Sequence, residues 1–129
     1  MDVPHDAVLL RIFTRVPDRF GLEPLYEAIV LRARERHLAG ATVLRGRMGF
    51  GQSATPHQGH LFAVVQDAPV VVEIVDSEEK INGFLPILDE MIESGLVTLQ
   101  AVQVLQYNRQ RAGLLQRIKQ FFGRHSRAV

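Results

Sequence analysis

The order of elements along the chain predicts an α+β sandwich, a single sheet with helices packed on one of its faces. Two observations predict it. Four β-rich runs and two helix-patterned runs follow one another as strand, helix, strand, long loop, strand, helix, strand. That is the split βαβ order of ferredoxin-like domains. Both helical runs connect strands, so they cover one face of the sheet and leave the other solvated or buried in an oligomer. Apolar residues on both faces of the strands favour the oligomer. An amphipathic segment after the last strand adds a C-terminal helix. The expectation is a ferredoxin-like βαββαβ domain over residues 1–108 and a basic tail over 109–129.

The first strand is Ala7 to Thr14, rich in β-branched and aromatic residues. Residues 16–21 read as loop. A helix follows: Pro24 suits a first turn, and Leu22, Leu25, Tyr26, Ile29 and Ala33 recur at three- and four-residue spacing. Gly40 is expected to end it. The second strand runs from Ala41 to Arg47. Alternation places Thr42, Leu44 and Gly46 on one face and Val43, Arg45 and Arg47 on the other. Leu61 to Val65 reads as a short strand piece, and Val70 to Val75 as the central strand. Asp76 or Ser77 caps the next helix, with Glu79 in a capping-box-like position. Its apolar stripe is Ile81, Phe84, Leu85, Leu88 and Ile92; Pro86 predicts a kink and Gly95 the end. The last strand, Leu96 to Tyr107, changes phase at Ala101-Val102, which predicts a bulge or bend.

With 129 residues, 47% of them apolar, the chain is the size of one domain and can bury a core. No run reaches the roughly eighteen apolar residues of a membrane span. The start, Met1-Asp2-Val3-Pro4-His5-Asp6, lacks the basic-then-apolar pattern of a secretory signal. Without cysteine there are no disulfides or thiolate zinc sites, which fits a reducing compartment. A cytoplasmic protein is expected.

The formal charge of +1 hides an uneven distribution. Residues 1–108 hold 9 Lys and Arg against 14 Asp and Glu, a net −5. Residues 109–129 hold Arg109, Arg111, Arg117, Lys119, Arg124 and Arg127 and no acid, a net +6. Within that tail Leu114, Leu115, Ile118, Phe121 and Phe122 share one helical stripe. Such a basic amphipathic helix suits an anionic membrane or a protein partner. The plainer expectation is that its apolar side packs on the oligomer.

The stretch that concentrates chemistry is Arg45-Gly46-Arg47-Met48-Gly49-Phe50-Gly51-Gln52. It opens a loop over about residues 48–68, a length that marks functional or disordered segments. Glycine lets a ligand approach the main chain, and arginine offers a permanently charged fork for phosphate or carboxylate. The bland alternative is tight turning and a solvated sheet edge.

The run Gly40-Ala41-Thr42-Val43-Leu44-Arg45-Gly46-Arg47-Met48-Gly49-Phe50-Gly51, followed by Asp67-x-Pro69-Val70-Val71-Val72-Glu73-Ile74-Val75-Asp76, resembles the PII-like family of unknown function numbered 190. The similarity covers roughly residues 7–107. More distantly, Gly49-Phe50-Gly51-Gln52 is similar to the start of the long loop in PII nitrogen-signalling proteins. The resemblance implies a homotrimer of ferredoxin-like subunits whose clefts bind a small effector such as an adenine nucleotide. It also implies a long loop that docks onto a partner, such as a membrane transporter or channel. Gly49, Gly51 and Gln52 carry over as ligand-binding positions; Arg45 and Arg47 join them from the strand-face argument.

Two departures matter. The connection Glu93-Ser94-Gly95-Leu96 is too short for the second phosphate loop of PII proteins, which points to a monophosphate, a cyclic nucleotide or another anion. No tyrosine lies between Gln52 and Ala68, so uridylylation is not expected.

Other chemistries are thinner. His57-x-x-His60 lacks a cysteine and has only Asp67 nearby, so solvated loop histidines are favoured over a metal site. No nucleophile-elbow motif presents Ser53, Ser77, Ser94 or Ser126. Glu73 is expected to pair across the sheet or a subunit interface. Asp89 and Glu90 are adjacent on a helix and do not face each other, so no acid/base pair arises. No enzyme, no nucleic-acid partner and no certain cofactor are expected. The competing readings are a ligand-free structural or adaptor trimer and a metal-responsive trimer.

Overall fold

Two central strands, β1 (Asp6–Arg15) and β5 (Pro69–Asp76), build the sheet. The computed structural model describes residues 6–51, 67–105 and 114–126. Between the central strands come β2 (Arg19–Phe20), β3 (Glu23–Pro24), α1 (Leu25–Glu35) and β4 (Thr42–Arg45). After them come α2 (Glu78–Met91), β6 (Leu96–Gln103) and α3 (Leu114–Ser126). The sheet order is β4-β5-β1-β6, with every neighbouring pair antiparallel. This is the ferredoxin-like arrangement that the element order predicts.

Register decides which residues meet the helices. Val8 pairs with Asp76 and Arg15 with Pro69, so the even-numbered residues of both strands share one face. Leu10, Ile12, Val72 and Ile74 are fully buried there against Leu25, Ala28, Ile29 and Ala33 of α1 and Ile81, Phe84, Leu88 and Met91 of α2. The odd-numbered residues form the opposite face, mostly apolar and, apart from the buried Ala7, half-exposed or exposed. Its polar centre is Arg11, whose Nε donates to Glu73 Oε2 at 2.8 Å. The predicted pairing of Glu73 across the sheet is therefore within this chain.

Several expectations shift by local chemistry. Residues 16–21 are not wholly loop: β2 and β3 form a small hairpin turned at Gly21-Leu22, where Gly21 takes φ +62°. Leu22 sits on that turn, 99% exposed, and does not belong to the stripe of α1; Ala28 takes its place. α1 ends at Glu35, five residues before Gly40. His37, at φ 58°, supplies the left-handed residue: its N–H donates to Arg34 O and the N–H of Leu38 to Ala33 O, a Schellman motif. β4 spans Thr42–Arg45, shorter than 41–47, because the chain turns away at Gly46. Val43 and Arg45 do share a face, opposite Val72 and Val70, but Arg47 lies beyond the strand.

Ser77, not Asp76, caps α2, accepting from the N–H of Lys80 at the third helical position, so Glu79 forms no capping box. The helix runs unbroken through Pro86. Asn82, whose carbonyl loses its donor there, is exposed, so the missing bond costs little. β6 stops at Gln103 and pairs in continuous register from Leu96 to Gln103, without a bulge. Its phase change instead reflects an edge strand apolar on both faces: Val97 and Leu99 share the helix side, Leu96 and Val102 the other. The predicted strand piece at 61–65 lies outside the described residues.

Asp76 ties the two halves together. It is 4% exposed, and its Oδ2 accepts the N–H of Ala39 at 2.8 Å while Oδ1 accepts that of Ser77 at 2.7 Å. Lys80 Nζ adds a bond to His37 O at 3.1 Å. Bonds to a charged acceptor are worth more than neutral ones. Asp76→Ala is expected to lower stability by about 2 kcal/mol in urea unfolding at fixed protein concentration. Conversely, His37→Gly removes the left-handed strain of a residue with a Cβ and is expected to add about 1 kcal/mol in the same assay.

Candidate functional site

The candidate site is the base of the long loop, at the end of the sheet where β4 exits and β5 begins. Pro69 is its anchor. As the first residue of β5 it needs no ladder donor, and its carbonyl accepts the N–H of Gly46 at 2.8 Å. Its ring lies so close that a Cβ on Gly46 would stand 2.7 Å from Pro69 Cγ, and one on Gly49 3.3 Å. The N–H of Val16, just past β1, donates to Ala68 O at 3.0 Å. The departing and returning arms of the loop are thus clamped together and to β1.

Neither Gly46, Gly49 nor Gly51 takes a positive φ. Glycine is needed at 46, and to a lesser degree at 49, because a proline ring occupies the space of a side chain. Among the described residues, nothing lies within 4 Å of a Cβ built on Gly51.

Around this clamp the side chains face outward. Arg45, Arg47, Met48 and Phe50 are exposed, and Arg45 extends from the helix side of the sheet. Arg15, opposite Pro69 in register, brings a third guanidinium to the same end, which sequence reasoning missed. Its Nη2 lies 3.5 Å from Asp18 Oδ1, and Asp18 Oδ2 accepts the N–H of Arg15 at 2.8 Å. Asp18 also fixes the start of α1, its carbonyl accepting the N–H of Leu25 at 2.8 Å. The pairing to Asp18 makes Arg15 a structural corner, whereas no ion pair is formed by Arg45 or Arg47 among the described residues.

Of the predicted ligand-binding positions, Arg45, Arg47, Gly49 and Gly51 follow one another along this exit; Gln52 lies outside the described residues, as do His57 and His60. No cluster of three or more metal-ligating side chains occurs among the described residues. The connection from α2 to β6 is Ile92 to Gly95, short as expected. Gly95, at φ +148°, packs tightly beneath it, a Cβ there lying 3.1 Å from Phe13 O.

A second feature lies at the other end of β4. A half-open groove of about 460 Å³ runs between the C-terminal half of α1 and the chain entering β4. Val30, Ala33, Leu38 and Ala41 make its walls, with exposed Arg34 and His37 at the rim. No local pattern signals it, because it depends on how His37 turns the chain after α1.

The fold is the one that PII-like proteins share. The chain belongs to the DUF190 family (uncharacterized ACR), which matches residues 7–104. A UPF0166 protein of Aquifex aeolicus (strain VF5) is 43% identical over 97 residues, covering 75% of this chain and 91% of that protein. A UPF0166 protein of Methanocaldococcus jannaschii is 35% identical over 94 residues, covering 72% and 86%. Among solved structures, a candidate PII-like signalling protein from Thermus thermophilus shares the fold. Its TM-score is 0.53 at 19% identity, over 77% of this chain and 89% of that one.

The clamp makes a direct prediction. Gly46→Ala forces its methyl against the Pro69 ring and is expected to cost about 1–3 kcal/mol in chemical unfolding. Gly51→Val, which no described residue crowds, is expected to change stability by less than about 0.5 kcal/mol.

Proposed function

We propose that the protein is a PII-like regulatory subunit, a homotrimer that senses a small anionic effector at the clefts between its copies. The observation that carries this reading is the clamped loop base, which presents Arg45 and Arg47 without ion-pair partners among the described residues, next to a Gly51 that no described residue crowds. A guanidinium pair next to accessible backbone suits a phosphate or carboxylate. An adenine monophosphate or cyclic nucleotide fits the absence of room for a second phosphate loop between α2 and β6. Binding at the base would bias how the loop leaves the clamp and so select a docking geometry on a partner, in our reading a membrane transporter or channel. The protein acts by binding and not as an enzyme.

The trimer draws support from surface chemistry. Leu44, Leu96, Val97 and Leu99 are exposed on the two edge strands, and Phe13 on the open face. Leu96 lies opposite Phe13 in register, so the two join on the open face, and exposed apolar surface of this kind marks an interface. The Arg11–Glu73 pair stands in the middle of the open face, where oligomerisation would desolvate it. Such a pair is worth little in water, but truncating one partner of a buried pair is costly.

A thermal-shift screen against adenine nucleotides, cyclic nucleotides and small carboxylates tests the effector, since a ligand at about 100 times its Kd adds about 2.7 kcal/mol to the folded state. The expected result is a shift with an adenine nucleotide that Arg45→Ala or Gly51→Val abolishes. No shift with any ligand would favour the ligand-free adaptor. A shift lost in Arg34→Ala and kept in Arg45→Ala would move the site to the groove beside α1.

Light scattering is expected to give the mass of three chains, and Glu73→Ala to weaken that assembly. A monomer at micromolar concentration would end the cleft reading.

A further inference from the structure

We propose that α3 is a lipid-surface helix, lying on anionic bilayers with its apolar stripe at the headgroup boundary and its cations at the phosphates. α3 is 13 residues long, about 20 Å at the α-helical rise, and so shorter than the roughly 30 Å hydrocarbon core. It can lie on a bilayer but not cross one. No helix among the described residues is long and apolar enough to cross.

Three features carry the proposal. First, among the described residues α3 has no extensive contact with any strand or helix. Second, Leu115 and Phe122 are 68% and 62% exposed and stand seven positions apart, on one face two turns from each other. Ile118 lies on the same stripe, half-buried, and Phe121 meets the Phe122 ring edge-on at 5.4 Å. Third, the cations are arranged as an interfacial helix needs them. Exposed Lys119 borders the stripe beside Leu115, while Arg117 and Arg124 fall at helical spacing on its other border. Exposed Gln116, Gln120 and Gly123 occupy the opposite side. Long basic side chains flanking an apolar stripe reach up to phosphates while their stems stay in the boundary.

Charge selects the occupant. Residues 109–129 carry six Lys and Arg and no acid, whereas residues 1–108 are net −5. An anionic surface therefore attracts the tail and repels the body. A nucleic acid would satisfy the cations but leave Leu115 and Phe122 without apolar contact. A bilayer satisfies both.

The test uses the full chain and two kinds of vesicle, phosphatidylcholine alone and phosphatidylcholine mixed with phosphatidylglycerol. Flotation with the mixed vesicles only, weakened by added salt, is expected. Lys119→Gln should weaken binding about fivefold. Leu115→Glu combined with Phe122→Glu should weaken it more than about tenfold while leaving the thermal unfolding of the body in place. The chain has no tryptophan, so Phe122→Trp installs a single reporter whose emission should shift to the blue with mixed vesicles. Absence of flotation at low salt, equal binding to neutral vesicles, or an unshifted emission would overturn the proposal. So would unchanged binding by the double glutamate variant, which would place the lipid contact on the body. A fall in that variant's oligomeric mass without vesicles would also overturn it, assigning the stripe to contact between copies.

Discussion

The pairing of β1 with β5 is the constraint on which the rest of the structure hangs. Eight residues of each strand oppose one another, from Val8 with Asp76 to Arg15 with Pro69. Side chains alternate, so a slip of β1 by one residue would carry Leu10 and Ile12 out of the core and put Arg11 into it, away from Glu73. The register held by those residues also sets both ends of the sheet. At one end Asp76 reaches the N–H groups of Ala39 and Ser77, joining the exit of α1 to the start of α2. At the other, Pro69 arrives opposite Arg15 and beneath Gly46, closing the loop base.

The division of labour follows from this. One face of the sheet supplies stability, with the buried core cluster of the described residues lying between the central strands and the two helices. The loop base, the groove beside α1, the edge strands and α3 are left outward. The first three are attached to packed anchors: the Pro69 clamp, the His37 turn, and the ladders that join β4 to β5 and β6 to β1. The surfaces proposed to meet an effector, a partner or a membrane are thereby separated from the residues that hold the fold together.

Much of the site is legible from the chain alone, for reasons that differ by residue. Arg45 can be placed because strand alternation is local, and register sets it on the face of Val43. Arg47 cannot, because β4 ends before it. Gly46, Gly49 and Gly51 stand out by type, yet their reasons are hidden. Gly46 and Gly49 are small because of a proline some twenty residues later. Gly40 reads as the end of α1, but His37 accepts the left-handed conformation at a cost that tertiary bonds from Lys80 and to Asp76 offset. Arg15 is invisible as a neighbour of the loop, since only pairing with β5 brings it there.

By itself the sequence determined the class of the fold, the positions of the four sheet strands and two packed helices, the family and the basic amphipathic tail. These rest on periodicity, composition and short motifs, all of which act between residues close in the chain. Tertiary structure alone decided what holds the turn after α1, why Asp76 is held away from the cap of α2, why Gly46 must lack a side chain and where a groove opens. Each of those depends on atoms brought together across tens of residues: Asp76 to Ala39, Lys80 to His37, Pro69 to Gly46. A local pattern can propose such a contact, but only the packed sheet fixes it.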